Sequence, residues 1–72
     1  MSKFEIWITS PPDRERVVAE IWYDKMSWAE ISCEDKDVVV QFYPQPTNGY
    51  WEFPFDEAIE ILQKAKNRLV SM

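Results

Sequence analysis

Apolar and polar residues alternate with a period of two from Lys3 to Thr9. Phe4, Ile6 and Ile8 fall on one side of this segment and Glu5, Trp7 and Thr9 on the other. That period predicts a half-buried strand. The same period returns from Val17 to Tyr23, from Trp28 to Glu34 and from Val38 to Tyr43, which predicts three further strands. Ser10-Pro11-Pro12-Asp13 interrupts the first of them, because proline cannot donate to a strand ladder. Asp24-Lys25-Met26-Ser27 and Asp35-Lys36-Asp37 read as polar turns. In the fourth strand Val38, Val40 and Phe42 are placed inward. From Pro54 to Val70 the period changes to that of a helix, with Phe55, Ala58, Ile59, Leu62, Ala65 and Leu69 on one stripe. Asp56 and Glu57 near its start and Lys64, Lys66 and Arg68 toward its end complement the helix dipole. Pro54 suits the first helical position. Pro44–Gly49 is a loop, with Asn48-Gly49 as its turn signal. Tyr50–Phe53 is either a brief fifth strand or a lead-in to the helix.

The expected fold is α+β: a four-stranded antiparallel β-meander with one C-terminal α-helix packed on one face, over a single domain of residues 1–72. One helix can cover only one face of the sheet. Packed against Phe4, Ile6, Ile8, Ala19, Ile21, Ala29, Ile31 and Cys33, it leaves the opposite face to Glu5, Trp7, Glu20, Trp22, Trp28 and Glu30. Those six residues are the candidate partner-binding site. Three tryptophans there would make an apolar patch larger than most monomers expose, and tryptophan is a preferred interface anchor. The alternatives are that the rings pack on one another, that the loop after Tyr43 covers them, or that a second copy does.

Composition narrows the chemistry. The chain has 72 residues, thirteen acids against eight bases, and a net charge of -5. This balance speaks against nucleic-acid or membrane binding, which calls for clustered Lys and Arg, and it suits a basic partner. Cys33 is the single cysteine and histidine is absent, so neither an internal disulfide nor the common zinc sites are expected. A reducing, cytoplasmic setting fits, and no targeting signal or membrane-spanning run is read near Met1 or elsewhere. Glu20 and Glu30 share a face on adjacent strands, as paired catalytic carboxylates would. They come without a base, a cleft-forming loop or an oxyanion donor, so they read as a solvated acidic surface. Cys33 reads as a structural thiol, and Ser10, Ser27 and Ser32 have no activating base. No catalytic residue, metal site or cofactor is expected.

Ala19-Glu20-Ile21-Trp22-Tyr23 and Trp28-Ala29-Glu30-Ile31-Ser32, followed by Gln41-Phe42-Tyr43-Pro44 and Trp51-Glu52-Phe53 before Asp56-Glu57-Ala58, give the chain a resemblance to small bacterial proteins. Some of these are similar to the immunity proteins of contact-dependent growth-inhibition and other polymorphic toxin systems. The resemblance implies a cytoplasmic inhibitor that binds a cognate protein toxin, such as a basic nuclease, and it brings no catalytic residues. Two other readings stand beside it: a homodimeric interaction module without a toxin partner, and an acidic mimic that inhibits a nucleic-acid-binding protein.

Overall fold

The computed structural model describes residues 3–12, 16–34, 36–47 and 49–71. Among them the chain forms β1 (Phe4–Thr9), β2 (Val18–Tyr23), β3 (Met26–Glu34), β4 (Asp37–Phe42) and α1 (Phe55–Val70). The strands make one antiparallel sheet in the order β1-β2-β3-β4. The helix packs on one face of it, chiefly over β2 and then over β3 and β1. This is the expected α+β meander. Tyr50–Phe53 forms no strand and is the lead-in to the helix. Asp35 and Asn48, on which parts of two turn readings rest, lie outside the described residues.

The β2–β3 hairpin departs from simple alternation, and it does so at a tryptophan. Its turn has two residues, Asp24 and Lys25, because Tyr23 pairs with Met26 and Trp22 with Ser27. Tyr23 lies on the helix side, opposite Phe4, so Met26 also points that way, Ser27 outward and Trp28 inward again. Farther along, Ile21 pairs with Ala29 and Glu20 with Glu30. One residue, Trp28, is therefore extra in β3 and forms a β-bulge. Trp28 is only 5 % exposed and belongs to the core. The expectation that Trp28 lies on the open face is corrected: the Ile21–Ala29 register continued without a bulge would have placed it opposite Trp22, whereas the two-residue turn and the bulge turn it inward.

Asp24 and Lys25 have φ of 48° and 69°. Positive φ at both central residues matches the twist of two-residue hairpins, a role that glycine usually takes at the second position. Lysine is strained there. Lys25→Gly relieves that strain and adds flexibility to the unfolded chain. The net expectation is a gain of roughly 0.5–1 kcal/mol, or a melting temperature higher by roughly 2–8 °C. A thermal melt that is unchanged or lower would count against this turn geometry.

The core lies between sheet and helix. Ala19, Ile21, Ala29 and Ile31 from the sheet meet Ala65 and Leu69 from α1, with Ala58, Ile61 and Leu62 packed around them. Alanines on both sides bring the helix close to the sheet. At the hairpin end the core becomes aromatic. Phe53 stands 4.9 Å from Phe4, 4.8 Å from Tyr23 and 5.1 Å from Trp28, measured between ring centroids. Trp51 stacks on Phe53 at 5.8 Å. Edge-on and tilted contacts of this kind add to the area that the rings bury. They fix the lead-in across the end of the sheet and so set where the helix begins. Pro54 has ψ of 136° and caps the helix, one residue earlier than the first-turn position expected for it. The amide of Ala58 donates to its carbonyl.

Two apolar expectations are rotated or uncovered. Phe55 and Ile59 are exposed, because the buried stripe runs through Ala58, Ile61, Leu62, Ala65 and Leu69, about a quarter turn away from Ile59 at 100° per residue. Val38, Val40 and Phe42 do face the helix side, opposite Cys33, Ile31 and Ala29. They nevertheless remain 41 %, 42 % and 54 % exposed, since β4 lies beyond the main footprint of the helix. Among the described residues no helix is long and apolar enough to cross a membrane.

Candidate functional site

On the face turned away from the helix, β1 and β2 build a groove. Their register sets Trp7 opposite Glu20 and Glu5 opposite Trp22. Side chains directly opposed in an antiparallel pair share a face, and residues two apart along a strand do as well. Trp7, Glu20, Trp22 and Glu5 therefore form a chequerboard of two indoles and two carboxyls. Together with Thr9 and Lys25 they line an open groove of about 350 Å³. Trp7 is 54 % exposed, and Trp22 is half-buried.

Glu20 is held in place within this groove. The Thr9 hydroxyl donates to its Oε2 at 3.1 Å and the Trp22 indole N–H to its Oε1 at 3.1 Å. Two donors, one from the neighbouring strand and one from its own, fix the orientation of the carboxyl and of the Trp22 ring together. The ring is thus ordered before anything binds, which lowers the entropic cost of using it as an anchor. Thr9 and Lys25 line the groove beyond the six residues that the sequence points to. Thr9 was legible as the next outward residue after Trp7, whereas Lys25 enters only because the turn is two residues long.

Glu30 has a different role from the one expected. It lies beside Glu20 but is only 7 % exposed, and the Tyr43 hydroxyl donates to its Oε1 at 3.1 Å. Tyr43 is placed by its own backbone: its N–H donates to the Trp28 carbonyl at 2.8 Å, and its carbonyl accepts the Trp51 indole N–H at 2.8 Å. Glu30 is therefore a covered, hydrogen-bonded group next to the groove and not an exposed charge in it. Tyr43→Phe removes one donor from this buried carboxyl, and the expected cost is about 1–3 kcal/mol. The check is a lower urea midpoint with an unchanged slope; an unchanged midpoint would contradict it.

Of the six residues read from the sequence as one binding face, the structure brings Glu5, Trp7, Glu20 and Trp22 together. It places Glu30 beneath Tyr43, and it moves Trp28 to the other side of the sheet. Glu20 and Glu30 are neighbours, yet among the described residues no group of three or more metal-ligating side chains is gathered around them or elsewhere. Cys33 is a half-buried free thiol on the helix side. What the groove offers is recognition chemistry: flat apolar rings, a fixed carboxyl, an exposed carboxyl at Glu5 and one ammonium at its end. No family model matches this chain, and no match was found among the curated proteins or the solved structures.

Proposed function

We propose that this chain is a cytoplasmic immunity protein that neutralises a cognate protein toxin by direct contact, docking through the groove on β1 and β2. The observation that carries the reading is the chequerboard of Trp7, Trp22, Glu5 and Glu20 on a face the helix does not cover. Indoles flanked by carboxyls suit a partner that presents aliphatic or cationic side chains, with the rings supplying contact area and cation–π attraction and the acids setting charge complementarity. The net charge of -5 would also speed encounter with a basic partner at low salt. The resemblance noted in the sequence gives this partner its kind, a secreted toxin domain. An acidic nucleic-acid mimic is less well supported, because Glu20 and Glu5 are separated by indoles and Glu30 is covered.

The test is co-expression with the toxin domain encoded beside this chain. Cells producing the toxin domain alone should stop growing, and cells that also produce this protein should grow. A neighbouring product that is harmless by itself, or one whose toxicity this protein does not relieve, would sink the reading.

A further inference from the structure

β4 is the one strand of the sheet that is exposed along its whole length. It carries Val38, Val39, Val40 and Phe42, each more than 40 % exposed, on a sheet edge that no other described strand pairs with. Natural edge strands are usually protected by charge, proline or a bulge. This one has a single charged residue, Asp37, at its start. The direction of its free groups follows from its pairing with β3. The Tyr43 N–H is bonded to Trp28, so Gln41, Val39 and Asp37 also turn their backbone groups toward β3. Val38, Val40 and Phe42 then turn theirs to the open edge. The three residues that leave the edge unpaired are thus the same three whose side chains stand uncovered on the helix side.

We propose that a second copy of this chain occupies that edge, its β4 antiparallel to this one, so that the two sheets become continuous. The sequence of β4 is self-complementary in one register. Opposed residues in an antiparallel pair point to the same face, so a two-fold contact must centre on a residue facing itself. Centred on Val40, it sets Val40 against Val40 and Val38 against Phe42, and it uses all the outward N–H and C=O groups in about six hydrogen bonds. Centred on Val39 it would face Phe42 with Lys36, and centred on Gln41 it would face Val38 with Pro44. The antiparallel direction also sends the two acidic ends, Glu34 and Asp37, to opposite extremes of the contact. A parallel pairing would set Asp37 beside Asp37. At one hydrogen bond per 100–200 Å², an interface of this kind falls near the lower end of specific contacts. A micromolar dimer is expected, and it leaves the groove on β1 and β2 open in both copies, whatever binds there.

Sedimentation equilibrium of the whole chain tests this. The unmodified protein should be dimeric at about 100 µM and dissociate on dilution. Val40→Pro removes an N–H that faces the edge and not one bonded to β3, a position at which strand proline is tolerated. It should weaken the dimer by roughly 100-fold. Val40→Lys, which sets two ammonium groups against each other across the two-fold, should act likewise without altering the backbone. Register is read by oxidation in a Cys33→Ser background. A mixture of Val39→Cys and Gln41→Cys proteins should cross-link, because those residues oppose each other at disulfide distance, and Val39→Cys protein alone should not. A monomer at about 100 µM, a dimer indifferent to both Val40 substitutions, or a Val39→Cys protein that cross-links to itself would overturn the proposal.

Discussion

Trp28→Ala is expected to unfold this protein. Replacing a buried tryptophan by alanine costs about 3–5 kcal/mol through lost burial and the cavity left behind. A core of this size holds roughly 3–5 kcal/mol of net stability, so the substitution removes most or all of it. The loss concentrates where the fold is stitched together. Trp28 touches Phe4, Phe42 and Phe53 at ring distances of 5.5, 5.5 and 5.1 Å, joining β1, β3, β4 and the lead-in to the helix. Its carbonyl also holds Tyr43 in place. Trp28→Phe keeps a ring in the site and should cost less. Far-ultraviolet circular dichroism and a thermal melt check both variants. A cooperative melt for Trp28→Ala near that of the unmodified protein would mean that the ring lies outside the core.

The paired substitution Trp7→Ala with Trp22→Ala should have the opposite profile, a large loss of binding with the fold retained. Anchoring tryptophans at interfaces cost about 2 kcal/mol or more each on truncation, so the pair should reduce affinity for the proposed toxin partner by roughly 1,000-fold. Trp7 is largely exposed, and its removal disturbs little. Trp22 is half-buried and bonded to Glu20, so the double variant should melt a few degrees lower yet remain cooperative. Titration calorimetry beside a thermal melt separates the two effects. Affinity within about tenfold of the unmodified protein would remove the groove from the docking surface.

The contrast between these tryptophans shows what the residues disclose and what they hide. The faces of β1 and β2 are legible because alternation from Phe4 to Thr9 and from Ala19 to Trp22 leaves one solution for the pleat, although Val18, on the outward side, is buried. The helix is legible from its period, although its axial rotation is not. Phe55 and Ile59 fit the apolar stripe as well as Ile61 does, and only contact with the alanine-lined sheet decides among them. Trp28 is hidden because a bulge shifts the phase of one strand by one residue, and the turn that demands it, Asp24-Lys25, lacks the glycine that would announce it. The covering of Glu30 by Tyr43 depends on the path of the chain beyond β4, which local pattern does not encode. The exposure of β4 depends on which strands the helix spans, a matter of packing and not of period.

The four tryptophans offer four indole N–H resonances, spread over three parts of the structure. Trp7 and Trp22 lie on the open face, Trp28 in the core and Trp51 at the lead-in to the helix. Two-dimensional nuclear magnetic resonance of the labelled protein during titration with the proposed toxin partner reports on all of them at once. The expected result is that the Trp7 and Trp22 resonances shift or broaden in proportion to binding while those of Trp28 and Trp51 stay in place. Binding that moves Trp51 and leaves Trp7 and Trp22 unchanged would place the partner elsewhere and contradict the central claim.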